Sequence, residues 1–197
     1  MRLFPALLAL CAASAVHAAD CPTAADLAGG IRLYDGPDVS ETFRQEQPGL
    51  ISSVYSENGV MTRSLLLRGI YMVEIIEMDE SGALVPSTRI TFSFSDPPGG
   101  LPDPVPGGGW EGRMTTLDGG EIYVEPFVVR FGPETPLDFD GCRYRGVPVT
   151  ISYPDRDPPY FEELTWMPEL GFSYLTGSAA TDGSTVRFNY ERIEALP

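Results

Sequence analysis

Four carboxylates that lie beside prolines are of a residue type that can bind a metal ion. Asp155, Asp157, Glu162 and Glu163 lie within nine positions of one another, and carboxylate oxygens are the ligands that Ca²⁺ prefers. Their spacing does not match an EF-hand loop, and an Asp-x-Asp run before two prolines is typical of a solvated loop. We therefore predict no bound metal and no cofactor, and keep these four residues only as weak candidates for a calcium site.

Paired carboxylates would also suit a glycoside hydrolase. Such enzymes hold two acids about 5 Å or about 7–9 Å apart across a cleft. The chain has 28 acidic residues, two tryptophans and nine tyrosines, which could supply both the acids and an aromatic platform for a sugar. No local motif selects one pair of acids, so a carboxylate-dependent hydrolase of envelope glycans is an alternative rather than the favoured function.

The residue types that are missing exclude most other catalytic chemistry. The only histidine, His17, lies in a segment that we expect to be removed, and the chain contains no lysine. Ser-His-Asp and Cys-His catalysis, Schiff-base lysines and zinc sites built on histidine are therefore excluded from the mature chain. No phosphate-binding loop with its lysine occurs, and no glycine motif of a dinucleotide-binding fold. This pattern favours a protein that is not an enzyme.

The charge of the chain restricts its partners. Thirteen basic residues against 28 acidic residues give a net charge of −15. Such a charge repels phosphate backbones, so a nucleic acid partner is not expected.

Residues 1–18 have the layout of a secretory signal peptide. Arg2 supplies a positive start, residues 3–16 form an apolar run, and small residues precede a cleavage point after Ala18. The run is shorter than the roughly 20 apolar residues that a membrane span requires. We therefore predict a periplasmic or secreted protein with no stable membrane span after cleavage, and one β-rich domain over residues 19–197.

Removal of the signal segment also removes Cys11 and leaves Cys21 and Cys142. Two cysteines in an oxidising compartment most simply pair with each other. A redox pair would normally show C-x-x-C spacing, which is absent. We predict a structural disulfide that ties the N-terminal end of the mature chain to the segment around Cys142.

The mature chain has the turn signals of an all-β protein. Short alternating segments, such as residues 89–95, are separated by turn dipeptides, of which Asn58-Gly59 gives the strongest hairpin signal. Residues 97–109 are almost entirely proline and glycine, which predicts a long surface loop. We predict about ten short strands after a short N-terminal helical turn, arranged as an antiparallel β-sandwich or an incomplete β-barrel.

Residues 65–78 depart from this alternation because both faces of the segment are apolar. A turn or bulge is expected at Gly69, and the resulting hairpin needs cover on both faces. A second sheet and the long loop would provide it; the alternative is a concave face that holds an apolar ligand or a partner. That alternative predicts a binding surface of Leu65, Leu67, Tyr71, Val73, Glu74, Ile75 and Trp110. For Trp110, the role of an anchor for the loop is the favoured interpretation.

These observations favour an exported, non-enzymatic β-protein that binds an apolar ligand or an envelope protein partner. Two alternatives stay open. One is the glycan hydrolase, which needs two acids converging in a cleft. The other is a structural or assembly factor that pairs with a partner through a long uncovered strand edge.

Overall fold

The computed structural model describes residues 21–158, 160–179 and 183–197. Over these residues the chain forms fourteen strands and two short 3-10 helices. Every strand pairing is antiparallel, which confirms the all-β prediction. In this part of the chain no helix is long and apolar enough to span a membrane. The signal peptide predicted for residues 1–18 lies outside the described residues.

The strands follow one another along the chain, mostly as hairpins. The first seven are β1 (Ile31–Asp35), β2 (Val39–Gln47), β3 (Leu50–Glu57), β4 (Val60–Leu67), β5 (Tyr71–Met78), β6 (Ile90–Phe94) and β7 (Gly109–Asp118). The others are β8 (Glu121–Phe131), β9 (Thr135–Phe139), β10 (Cys142–Tyr153), β11 (Tyr160–Met167), β12 (Phe172–Ala179), β13 (Thr185–Arg187) and β14 (Arg192–Ala195). The 3-10 helices span Ala24–Ala28 and Pro86–Thr88.

All fourteen strands belong to one sheet, in the order β13-β12-β11-β10-β8-β7-β6-β5-β4-β3-β2-β1-β14, with β9 beside β10. The C-terminal strands pair with opposite ends of this series, since β13 pairs with β12 and β14 pairs with β1. Only residues 188–191 separate β13 from β14. The sheet therefore curls, and its N-terminal half (β1–β5) packs against its C-terminal half (β10–β13).

Fourteen strands exceed the roughly ten that the sequence pattern suggests. The segments that did not stand out are β2, whose residues are mostly polar, and β9, which is five residues long and contains Pro136. Both satisfy their backbone groups by pairing with well-formed neighbours, β2 with β1 and β3, and β9 with β10. Pairing partners, rather than local hydrophobic alternation, make these segments strands.

The turn between β4 and β5 contacts the C-terminal half of the sheet. Gly69 has φ +69°, and its carbonyl accepts hydrogen bonds from the backbone N–H (2.9 Å) and the hydroxyl (2.7 Å) of Ser173. A Cβ at position 69 would lie 2.5 Å from the carbonyl oxygen of Gly171. Close by, the rings of Phe43 and Phe172 stack with centroids 4.0 Å apart. The turn expected at Gly69 is present, and only glycine fits it.

Two hydrophobic clusters fill the interior. The first cluster joins β1–β4 to β12 and to the first 3-10 helix, and its larger members include Leu27, Ile31, Leu33, Phe43, Ile51, Leu66, Phe139, Met167, Phe172 and Tyr174. The second cluster lies around β5 and β7–β10, and its members include Ile70, Tyr71, Leu101, Trp110, Met114, Phe127, Val129, Val147 and Ile151. Leu101 belongs to the proline- and glycine-rich loop, so this loop covers part of the apolar hairpin.

Cys21 and Cys142 form the expected disulfide, with Cα atoms 5.4 Å apart. The hydroxyl of Tyr144 donates a hydrogen bond to the carbonyl of Pro22 at 2.8 Å. The start of the described chain is therefore held against the first residues of β10 by one covalent and one polar contact.

Replacement of Gly69 tests the contact between the two halves. We expect Gly69→Ala to lower the free energy of unfolding by about 3 kcal/mol or more, because the positive φ and the backbone clash both oppose a side chain. Gly59→Ala is the matched control: φ is +84°, but a Cβ there would meet nothing within 4 Å. We expect it to lower the free energy by about 1 kcal/mol. Equal losses in denaturant unfolding of the two variants would contradict the proposed role of this contact.

Candidate functional site

A cavity of about 310 Å³ lies between the two halves of the sheet. The apolar part of its wall consists of Leu66, Met72, Ile75, Leu164, Leu175 and Phe188. The polar part consists of Glu41, Ser53, Tyr55, Thr62, Ser64, Glu162, Ser173 and Tyr190. This volume corresponds to about ten water molecules, which is at the small end of the range for ligand-binding sites.

Strand register places these side chains on one wall. Ser53 of β3 lies opposite Ser64 of β4, which lies opposite Ile75 of β5, so all three face the cavity. The register of β4 and β5 then shifts, with Val73 as the extra residue. Because of this bulge, Met72 faces the same side as Ile75 although the two are three positions apart.

A second bulge shapes the opposite wall. In the pairing of β11 with β12, the register shifts between Glu163 and Leu164, with Thr176 as the extra residue. Leu164 and Leu175, which are directly paired beyond this shift, both line the cavity. Each half of the sheet therefore carries one irregularity beside the cavity.

Glu41 of β2 is the most deeply buried charged group in the wall, with a residue exposure of 8%. One carboxylate oxygen accepts a hydrogen bond from the hydroxyl of Ser53, and the other accepts one from the hydroxyl of Tyr190 at 2.9 Å. Burial raises the pKa of Glu41 to about 7, and the two hydrogen bonds oppose this rise only partly. Burial and the neighbouring Glu41 also raise the pKa of Tyr190.

Glu162 of β11 has a similar environment on the opposite wall. Its carboxylate accepts hydrogen bonds from the hydroxyls of Tyr160 at 3.1 Å and Tyr153 at 3.4 Å. Burial raises the pKa of Glu162, against the opposing effects of these hydrogen bonds and of Arg156. The Arg156 guanidinium itself lies 4.1 Å from the centre of the Tyr153 ring and pairs with Glu125.

The residues that the sequence singled out as a binding surface are divided by the structure. Ile75 lines the cavity, whereas Leu65, Val73 and Glu74 of the same hairpin are not part of its wall. Glu74 forms ion pairs with Arg63 at 2.8 Å and Arg89 at 3.2 Å.

The remaining three residues of that surface contribute to packing. Tyr71 is fully buried in the second cluster, Leu67 packs against that cluster, and the hydroxyl of Tyr71 donates to the carbonyl of Pro102. Trp110 is 9% exposed, and its Nε1 donates to Asp96 at 2.8 Å. This position agrees with Trp110 as an anchor at the end of the loop.

The four weak calcium candidates do not form a common site. Asp155 and Asp157 are exposed in the loop after β10. Glu162 lines the cavity, whereas Glu163 forms an ion pair with Arg187. Among the described residues, no group of three or more acidic, cysteine or histidine side chains could hold a metal ion.

Sequence patterns do not single out Glu41, Ser53 and Tyr190, and they indicate Glu162 only as a metal ligand. A signal for Glu162 was present, because Tyr160, Glu162, Leu164 and Trp166 alternate along β11 and an acid in such a series points to the interior. Glu41 has no such signal, since β2 is polar over most of its length.

One strand edge is uncovered over part of its length. β10 pairs with β8 only at residues 128–131, so residues 121–127 have no strand partner on that side in the described structure. Ile122 and Val124 there are 68% and 50% exposed. Glu125 on this edge pairs with Arg156, and Pro126 interrupts its hydrogen-bonding groups.

Comparison of the chain with protein-family models, with curated proteins and with solved structures found no match. The cavity is therefore the basis for assigning a function. Chemically, it offers an apolar volume with two carboxylates that accept hydrogen bonds only from hydroxyl groups among the described side chains.

The raised pKa of Glu41 predicts how stability varies with pH. Between the ordinary value of 4.5 and about 7, the folded protein retains a proton that the unfolded chain releases. Stability should therefore fall as pH rises through this window, by up to about 3 kcal/mol from this group. Glu41→Gln should remove that part of the loss, so the variant gains stability relative to the native protein as pH rises.

Denaturant unfolding at several values between about pH 4.5 and about pH 8 measures this difference. Glu80→Gln, in the exposed turn after β5, is the control and should follow the native curve. A difference between Glu41→Gln and the native protein that stays constant across the window would contradict the assignment.

Proposed function

We propose that this chain is an exported, non-enzymatic binding protein whose cavity between the two halves of the sheet holds a small, largely apolar ligand. The observation that carries this proposal is the cavity of about 310 Å³ between the two halves of the sheet, with six apolar side chains in its wall. Apolar surface that a ligand removes from water favours binding by about 25 cal/mol per Å² before the costs of association.

The dimensions of the cavity restrict the ligand. A volume equivalent to about ten water molecules fits a compound of about ten non-hydrogen atoms. A long acyl chain would extend beyond this volume. The ligand class that suits the cavity is therefore a small aromatic or branched compound rather than a membrane lipid.

Export is supported by two independent features. The Cys21–Cys142 disulfide is of the kind that persists in oxidising compartments. Residues 1–18 have the composition of a signal peptide. From these two features we propose a periplasmic location.

A glycan hydrolase is a less well supported alternative. In its favour, Glu41 and Glu162 line the same cavity. However, acid–base catalysis by a carboxylate pair requires one group that is readily ionised and one that is not, whereas burial raises both pKa values here.

An assembly factor or a protein partner would use the uncovered edge at residues 121–127. The exposed side chains of Ile122 and Val124 favour such a contact. Against it, the edge carries acidic residues and Pro126, which are the features that discourage strand addition. The cavity remains the better supported site.

Titration with cinnamyl alcohol, a neutral compound of about ten non-hydrogen atoms, tests the proposed function. We expect saturable binding in isothermal titration calorimetry and an affinity at least about tenfold lower for Leu175→Trp, whose ring fills the cavity. Leu117→Trp is the control, because Leu117 is 45% exposed near the end of β7. No binding by the native protein, or equal weakening by both variants, would contradict the proposal.

A further inference from the structure

We infer that the ligand of this cavity is a small hydrophobic amine, whose apolar body contacts the apolar side chains of the wall and whose ammonium group is recognised by one of its two buried carboxylates, Glu41 or Glu162. This inference rests on the proposed function, because it names the class of compound that the same cavity would hold. The cavity, the position of the two carboxylates and the distribution of the arginines support it.

Two ionised carboxylates in the wall of a small apolar cavity are energetically unfavourable unless a positive charge accompanies them. A buried charge that has no counter-ion loses much of its hydration without a compensating ion pair. Hydroxyl groups donate to both carboxylates, but a hydroxyl is neutral. Each ionised carboxylate also accepts more hydrogen bonds than the two it receives here, so an ammonium donor can be added.

The chain does not supply the missing charge from its own side chains. Arginine is its only strongly basic residue type, and twelve of the thirteen arginines follow residue 20. Nine of these twelve form ion pairs with carboxylates other than Glu41 and Glu162. The other three donate to the hydroxyl of Thr42 and to the carbonyls of Gly29 and Val124.

The described cavity wall accordingly contains no cationic side chain, although two acids are part of it. The positive charge of Arg156 partly opposes the rise in the pKa of Glu162 that burial causes. The Arg156 guanidinium, however, pairs with Glu125 and lies over the ring of Tyr153. The ammonium group of a ligand would compensate the negative charge of an ionised Glu41 or Glu162, with which no arginine in the described part of the chain forms an ion pair. A carboxylate ligand would instead be repelled by both walls.

Three compounds with the same carbon skeleton separate charge from shape. Cinnamylamine is cationic, cinnamyl alcohol is neutral and cinnamate is anionic, and each has about ten non-hydrogen atoms. We expect isothermal titration calorimetry of the native protein at about pH 8, where Glu41 is ionised, to give at least about tenfold tighter binding of the amine than of the alcohol. Cinnamate should bind more weakly than the alcohol.

Substitutions then identify the groups that recognise the charge. The double variant Glu41→Gln/Glu162→Gln should abolish the preference for the amine over the alcohol, and the single variant that loses this preference identifies the carboxylate that contacts the ammonium group. Glu163→Gln is the matched control, because Glu163 adjoins Glu162 in β11 but pairs with Arg187 and does not line the cavity. It should retain the full preference.

The outcomes distinguish this inference from the function on which it rests. Binding of the alcohol with no preference for the amine overturns the inference and leaves the proposed function standing. Binding of none of the three compounds overturns both. A preference for the amine that survives in the double variant overturns the role of the two carboxylates. The comparison of the three compounds uses the native protein, so it does not depend on the folding of any variant.

Discussion

The contact between Gly69 and Ser173 determines how the sheet closes on itself. These residues are 104 positions apart, and the carbonyl of Gly69 accepts both donors of Ser173 at a point where no side chain fits. Buried backbone groups need such partners, so the bond fixes the β4–β5 turn against the start of β12. The Phe43–Phe172 stack beside it adds hydrophobic contact. Together they set the separation of the two halves, and thereby the space between them.

The cavity lies between these two halves, next to the closely packed first cluster. Leu66 belongs both to the first cluster and to the wall, so the hydrophobic core passes directly into the cavity. The bulges in the β4–β5 and β11–β12 pairings change the direction of the side chains at this boundary. Close packing elsewhere in the interior makes an unfilled apolar volume unusual, since cavities reduce stability.

The two buried carboxylates give this space a chemical character that the hydrophobic clusters lack. Glu41 and Glu162 come from opposite halves of the sheet, and each is supported by two hydroxyl donors. Hydrogen bonds of this kind orient the carboxylates without neutralising them. A purely structural core is usually no less stable when apolar residues replace buried charges. Stability alone therefore does not account for two carboxylates at these positions, whereas the proposed binding of a small amine does.

The sequence by itself determined the features that depend on local patterns. Turn dipeptides and alternation predicted an antiparallel β-protein, two remaining cysteines predicted the Cys21–Cys142 bond, and the proline and glycine content of residues 97–109 predicted the loop. Each of these follows from a few neighbouring residues or from a count.

Tertiary structure alone decided where the cavity lies and which acids face it. Side chains in a strand alternate, so a one-residue bulge moves every later residue to the other face, and neither bulge has a marker in the sequence. Of the seven residues predicted as a binding surface, only Ile75 lines the cavity, whose wall instead takes Leu66 and Met72 from the same hairpin. Glu41 lies in a polar segment, and only the pairing of β2 with β3, together with Tyr190 from the end of the chain, brings it inside. Contacts between residues so far apart cannot be deduced from local alternation.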